Sequence, residues 1–243
     1  MNYVILAAGL GSRFSKEGID TPKPLVPLMG QPMIGRLIRV LIARGGCEEI
    51  HIVANPRMEG FVEYLEELKA QGAPLVIKPY ISDNSYSSLR VGAEGIDGKF
   101  IAMTVDAIFP NSEFEQFKEV VERMPDDEVC MALTRFIDDE SPLYARLAPS
   151  GTEVIDYRYG GEPYAEGAIV SAGIYGLTPE AMKVVAARGQ EGYPESLSEF
   201  QRILAAETPL KVVVFEMTKA LDVDCSHDRA AAEAFLRAAN GEV

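Results

Sequence analysis

The sequence predicts an α/β protein: three layers, α/β/α, around a mostly parallel, doubly wound sheet, with a smaller antiparallel portion. Three observations carry this expectation. Short apolar runs and amphipathic helical patterns alternate at intervals of roughly 20 to 25 residues up to position 106, as strand–helix–strand units do. Beyond that point four strand-like runs follow one another with only short polar breaks, which suits antiparallel pairing. No internal repeat, low-complexity segment or linker interrupts the chain, so residues 1–243 are expected to form one domain.

Residues 3–7 read as a buried strand, a short apolar run stopped by glycine. Residues 8–31 hold too much Gly, Pro and polar side chain for regular structure. In MIGRLIRVLIARGG the apolar residues Met33, Ile34, Leu37, Ile38, Leu41 and Ile42 share one helical face, and Gly45-Gly46 ends the helix. EIHIVAN predicts a second strand, RMEGFVEYLEELKAQG a helix closed by glycine, APLVIK a third strand and SSLRVGAEGI a helix. KFIAMTVDAIF predicts a fourth strand ending on an acidic residue. EVCMALTRF, LYARLAP, EVIDYRY and AIVSAGIYGL are the strands of the antiparallel portion. Two helices at 178–188 and 195–206 and the strand LKVVVFEM come next. ALDVDCSHDRAAAEAFLRAAN closes the chain as a short strand, Ser226 as N-cap and a terminal helix.

Apolar residues make up 47% and charged residues 25% of the 243 positions, the balance of an ordinary soluble protein. No apolar run approaches the roughly 18 residues of a membrane span. No basic stretch precedes a long apolar segment at the N-terminus, so neither membrane insertion nor secretion is expected. Cys47, Cys130 and Cys225 are scattered without metal-ligand spacing, which suits free thiols in a cytoplasmic protein. His51 and His227 have no third nitrogen or thiolate at zinc spacing and read as structural. The net charge of −14 excludes a general nucleic-acid surface, which needs a basic face to displace counterions. Oligomeric state is left open, a homo-oligomer included. Against the acidic background Arg13, Lys16 and Lys23 lie within eleven residues. A few cations and converging backbone N–H groups are enough to hold an anion.

In an open α/β sheet ligands bind beyond the carboxyl ends of the strands, which is where the loop after the first strand lies. Gly9 and Gly11 let the backbone approach a bulky anion. Arg13 offers a planar fork for phosphate oxygens and Lys23 a compact charge. The dinucleotide fingerprint of an oxidoreductase would need glycine where Phe14 stands and an acid where Asn55 stands, and no G-x-x-x-x-G-K-[ST] loop exists. The chain carries instead LAAGLGSRF followed by PKPLVPLMGQPMI. These two linked blocks closely resemble the opening of the nucleotidyltransferases that join a nucleoside triphosphate to a sugar 1-phosphate or alcohol phosphate. The resemblance implies a GT-A-like fold and a nucleotide held by Leu6, Ala7, Ala8, Gly9 and Gly11. It also implies Arg13 and Lys23 as catalytic cations.

Nucleotidyl transfer needs positioning and charge neutralisation, and Mg²⁺ takes one or two carboxylates together with waters and phosphates. The resemblance assigns Mg²⁺ to Asp106, at the end of an apolar strand, and to Asp224 in ALDVDCSHD, with Asp222 as second choice. Asp228 falls in the first turn of the terminal helix, where a carboxylate complements the dipole. Val105 stands where the family usually has glycine, and Cys225-Ser226-His227 replaces its Thr-Pro-Glu. SDNSYSSLRVGAEGI occupies the base-reading position and offers Asn84, Ser87 and Ser88. It looks like the cytidylyltransferases acting on choline phosphate or other alcohol phosphates, a plain serine N-cap being the alternative. GAIVSAGIYGLTPEAM resembles the acceptor-lining segment of sugar-nucleotide enzymes. Glu166, Ser171 and Gly173 are therefore acceptor candidates, and Lys219 a candidate for an acceptor phosphate. The expected activity is transfer of a nucleoside monophosphate from CTP or UTP to a phosphorylated sugar or alcohol, releasing pyrophosphate. The alternative is a catalytically silent nucleotide-binding regulator, opposed by the presence of Arg13, Lys23, Asp106 and Asp224 together.

Overall fold

The first strand, β1 (Asn2–Ala7), sends alternate side chains into two hydrophobic layers, and the rest of the chain is arranged around it. The computed structural model describes all residues except 10, 44, 139–140, 165–166, 189–193 and 242–243. After β1 come α1 (Ser12–Lys16), a single 3-10 turn at Lys23–Leu25, and the two-residue strands β2 (Pro27–Leu28) and β3 (Gln31–Pro32). Helix α2 (Met33–Ala43), β4 (Ile50–Ala54), α3 (Phe61–Ala70), β5 (Leu75–Pro79), α4 (Ser85–Ala93) and β6 (Phe100–Thr104) complete the alternating part. The remainder begins with β7 (Ala107–Ile108), α5 (Asn111–Arg123), β8 (Glu128–Thr134), β9 (Leu143–Leu147), β10 (Val154–Tyr159) and β11 (Val170–Leu177). It ends with α6 (Pro179–Arg188), α7 (Leu197–Glu207), β12 (Lys211–Met217), β13 (Leu221–Asp222) and α8 (Ser226–Asn240).

Strands β5, β4, β1 and β6 pair in parallel in that order, with Tyr3 opposite Ile50 on one side and Ile101 on the other. Strand β11 runs antiparallel to β6 and β8, β12 lies parallel beside β8, and β9 and β10 pair antiparallel at the edge. Tyr3, Ile5 and Ala7 face α2, α3 and α5 through Ile34, Leu37, Phe61, Leu65 and Phe117. Val4 and Leu6 face the opposite layer, with Leu89 of α4, Val185 of α6 and Phe200 and Ile203 of α7. The expected three layers are therefore present, because a strand of period two with both faces apolar must be covered twice. Strand order runs outward from β1 in both directions, which opens a crevice at its carboxyl end.

Several expectations are corrected. The sequence reading gives residues 111–123 no element, yet α5 lies there; its buried stripe of Phe114, Phe117 and Val121 is narrow and surrounded by charge. The segment 8–31, read as irregular, contains α1, a 3-10 turn and a tight β2–β3 hairpin turning through Met29 and Gly30, both at positive φ. KFIAMTVDAIF is two strands, broken at Val105-Asp106. Ser226 is the first helical residue rather than the N-cap, which is Cys225. On α2 all the predicted apolar positions are buried except Ile42, at the rim. Among the described residues no helix is long and apolar enough to cross a membrane.

Helix α4 settles on the sheet through Gly92, where a Cβ would stand 2.4 Å from a methyl of Val4 and 3.1 Å from one of Val53. Its last carbonyls, of Val91, Gly92 and Glu94, accept from the Lys78 ammonium at 2.9, 2.9 and 2.6 Å, a cation at the negative end of the helix. Gly92→Val is expected to lower stability by about 1–3 kcal/mol through overpacking, read as a lower urea midpoint at unchanged slope. An unchanged midpoint would mean that α4 can stand off the sheet without penalty.

Candidate active site

The crevice is built by a short ladder. Strands β7 and β13 pair antiparallel, Asp222 opposite Ala107, and the Val223 N–H donates to the Asp106 carbonyl at 3.3 Å. Two segments more than a hundred residues apart in sequence are thereby aligned, so that Asp106 and Asp224 stand on one side of the crevice. On the other side the glycine loop is anchored by Phe14, 1% exposed, in a small core with Val26, Leu28, Met33 and Val223. The Glu17 carboxylate accepts from the Ser226 N–H and hydroxyl at 2.9 and 2.7 Å, tying the loop to the start of α8. Gly11, at φ +66°, begins α1, and a Cβ there would meet Lys23 Cβ at 2.6 Å. The two sequence blocks of the opening stretch therefore touch at a point where only glycine fits.

Lys23, flanked by Pro22 and Pro24, sends its ammonium to both carboxylates: it donates to Asp106 Oδ2 and, at 2.5 Å, to Asp224 Oδ1. Arg13 donates to the other Asp224 oxygen at 2.8 Å. The Lys23 and Asp106 side chains are only 10% and 14% exposed, against 56% for Arg13. Burial alone would discharge Lys23, but the two carboxylates outweigh it and hold its pKa above the ordinary lysine range. For Asp106 burial pushes the carboxyl pKa up, and the Lys23 ammonium overrides it and holds the value below the ordinary range. The second oxygen, Asp106 Oδ1, is buried and has no hydrogen-bond partner among the described residues.

Two cavities meet at these groups. The larger, about 760 Å³, is bordered by Leu6, Ala8, Gly9, Gly11, Lys23 and Asp106, with the start of α4. The smaller, about 320 Å³, is bordered by Phe136, Ser171, Asp222, His227 and neighbours. Arg13 and Asp224 border both. The volumes lie within the range of small-molecule sites. Of the predicted nucleotide contacts, Ala7 lines neither cavity; by the strand's alternation its side chain is in the opposite core layer. Among the described residues nothing lies within 4 Å of where a Cβ on Gly9 would stand.

Asn84 and Ser87 close the helix cap on each other. The Asn84 side chain accepts from the Ser87 N–H at 2.8 Å, and the Ser87 hydroxyl accepts from the Asn84 N–H at 3.2 Å. Ser87 lines neither cavity; Asn84 and Ser88 border the larger one, and the buried Ser88 hydroxyl donates to Ser82 at 2.6 Å. Asp228 caps α8, accepting from the Asp224 and Cys225 N–H groups at 3.0 Å each, as a carboxylate in the first turn should.

The acceptor candidates divide. Ser171 borders the smaller cavity, and Gly173, at φ +70° in a β11 bulge, would bring a Cβ within 3.2 Å of the Thr104 hydroxyl and 3.9 Å of Asp222. Lys219 lines neither cavity; its ammonium sits over the Phe136 ring at 3.9 Å and near Phe235 at 5.4 Å. Glu166 lies outside the described residues. Sequence reasoning missed Asn55, Arg57, Ser82, Ser85 and Leu197 on the larger cavity. Asn55 and Arg57 follow β4 directly, so the strand-end rule that found Asp106 could have found them.

Residues 3–156 match the family model of the MobA-like NTP transferase domain. The chain belongs to that family. It is 34% identical over 96 residues to a 2-aminoethylphosphonate cytidylyltransferase of Lancefieldella rimae, covering 40% of this chain and 38% of that one. A CMP-5'-(3-aminopropyl)phosphonate synthase of Streptomyces rubellomurinus is 26% identical over 209 residues, covering 84% of this chain and 31% of that one. The matches thus span less than half the length of either curated relative. Among solved structures, the inositol-1-phosphate CTP transferase of T. maritima superposes with a TM-score of 0.73 at 16% identity, covering 97% of this chain and 96% of that one. That likeness bears on the fold. It agrees with the doubly wound sheet and antiparallel portion of this NTP transferase domain.

Removing Lys23 leaves two carboxylates facing each other in a half-closed crevice. Lys23→Met is expected to cost about 3–5 kcal/mol near neutral pH, the penalty of breaking a buried ion pair. The Asp106 contribution exists above the unfolded carboxyl pKa of about 4 and disappears as pH falls through its lower folded value. The gap between wild type and variant should therefore narrow on acidification below about pH 4, read from urea midpoints across pH. A gap independent of pH would show that the carboxylates are not what Lys23 stabilises.

Proposed function

We propose that this protein transfers CMP from CTP to a small phosphorylated or phosphonylated alcohol, amine or sugar and releases pyrophosphate. The observation that carries this is the shared wall: Arg13 and Asp224 border both the larger and the smaller cavity. One cavity suits a nucleotide, with apolar Leu6 and Ala8 beside the hydroxyls of Ser82, Ser85 and Ser88 for base and ribose, and the Gly9–Gly11 backbone for phosphates. The other suits a smaller acceptor. CTP is favoured over UTP because both aminoalkylphosphonate relatives are named for cytidylyl chemistry.

In this reading an anionic oxygen of the acceptor attacks the α-phosphorus in line. The new P–O bond forms as the bond to pyrophosphate breaks, and that pyrophosphate leaves with the electron pair. Arg13, at the wall, holds the phosphates on either side of the reacting centre, and Lys23 holds the leaving group's growing charge. No general base is needed, because the attacking oxygen is already ionised near neutral pH. Asp106 and Asp224 would hold Mg²⁺, which supplies charge neutralisation of the phosphates when bound. The donor set fits: the two carboxylates converge on one cation, and the buried Asp106 Oδ1 has no geometric hydrogen-bond partner among the described residues. Among the described residues no group of three or more His, Cys, Asp or Glu is placed to hold a metal ion, so Asp106 and Asp224 would be its protein ligands.

The test is pyrophosphate release with Mg²⁺, each of the four common nucleoside triphosphates, and a panel of aminoalkyl phosphonates, alcohol phosphates and sugar phosphates. CTP with one acceptor class is the expected pair. Asp106→Asn should lower turnover at least about a hundredfold while the protein stays folded. Silence of the wild type across the panel, or full activity of that variant, would overturn the assignment.

A further inference from the structure

Gln201 of α7 is out of place as a packing residue. It is 1% exposed, beside Phe200 and Ile203, which are fully buried. A primary amide in such a layer loses its hydration and is tolerated only where its hydrogen bonds are replaced. They are replaced in a directed way. The Ser171 hydroxyl donates to Gln201 Oε1 at 2.8 Å, and Gln201 Nε2 donates to the Leu197 carbonyl at 3.2 Å. The Leu197 N–H in turn donates to the Ser85 hydroxyl at 2.9 Å.

The ends of this thread lie on different cavities. Ser85 and Leu197 border the larger one and Ser171 the smaller one. Three hydrogen bonds, made by α4, α7 and β11, therefore join the two by a route separate from Arg13 and Asp224. Ser171 sits where β11 leaves its register with β8, just before the Gly173 bulge, so its backbone is held less firmly by the sheet than its neighbours further along.

We propose that Gln201 is a positioning residue that couples the two sites: a nucleotide against Ser85 and Leu197 fixes Ser171 for the acceptor, so the substrates bind synergistically. This rests on the assignment of nucleotide and acceptor to the two cavities. Linkage makes the effect reciprocal, and couplings of this kind commonly amount to about 5- to 150-fold in affinity. In Gln201→Leu the acceptor KM should rise roughly tenfold with kcat little changed, a split that mere loosening of α7 would not give. Ser171→Ala removes both the far end of the thread and the acceptor contact, so adding Gln201→Leu to it should raise the acceptor KM no further.

A readout independent of turnover is hydrogen–deuterium exchange with a non-hydrolysable CTP analogue. In the wild type the analogue should protect residues 80–90 and also 169–173; in Gln201→Leu only the first protection should remain. Should Gln201→Leu fail to fold, Gln201→Met, which also lacks the amide but keeps its length, takes its place in both assays. Protection of 80–90 without any at 169–173 in the wild type, or protection of 169–173 that survives the substitution, would overturn the coupling and leave the proposed function standing. No protection anywhere would overturn both.

Discussion

The ammonium of Lys23, enclosed by Asp106 and Asp224, is the contact on which the site depends. Drawing Lys23 and Asp106 largely out of water, with Asp224 partly so, is expensive, and the arrangement holds because each charge is paired and its backbone is fixed independently. Asp106 follows the last bond of the β1–β6 ladder, where the Val105 N–H donates to the Leu6 carbonyl at 3.2 Å. Asp224 is fixed from behind by the cap on its own N–H. Lys23 arrives on a turn between two prolines and passes Gly11 closely enough to exclude a side chain. The glycine loop is thus specified by the ion triad as much as by any ligand.

Much of this was legible because each part obeys a local rule. Glycine after a buried strand, an acid at a strand's carboxyl end and two linked blocks with cations at fixed places all survive without knowledge of the three-dimensional neighbours. Leu6, Gly11, Arg13, Lys23, Asp106 and Asp224, marked by these rules together with the family resemblance, all border the cavities. Serines could not be sorted by such rules. Ser87 serves the α4 cap, Ser88 and Ser82 bond each other at the cavity edge, and Ser226 holds Glu17. A hydroxyl's role depends on which partner the fold delivers, and propensity alone does not say.

The smaller cavity was legible only in fragments, for a related reason. Its walls come from β8, β11 and the β13–α8 turn, joined through long-range pairings that leave no periodic trace in sequence. Lys219 illustrates the hazard: a lysine beside an acidic motif invites a phosphate, but Phe136 and Phe235 hold its ammonium. Gln201 was invisible for the opposite reason, since nothing marks a glutamine within an amphipathic helix as the buried member of its turn. Helix α5 escaped notice because its three-residue apolar stripe is outnumbered by charge.

The protein carries −14 overall, so the proposed nucleoside triphosphate would approach against a repulsive field, weakened beyond a Debye length of about 8 Å at physiological salt. Arg13 and Lys23 do not reverse this, because Asp106 and Asp224 cancel them: the quartet sums to zero. It is a place where charges can be exchanged between partners rather than a patch that attracts anions. For Lys23 to turn to a phosphate, another cation must satisfy the carboxylates it leaves, since an unpaired buried carboxylate pair costs more than a phosphate contact regains. A divalent cation held by Asp106 and Asp224 would meet that condition, and a nucleotide bound with its own cation would carry less charge to be repelled. An acidic surface and the proposed phosphate chemistry are compatible if the exchange of partners, and not the long-range field, sets where a nucleotide would be held.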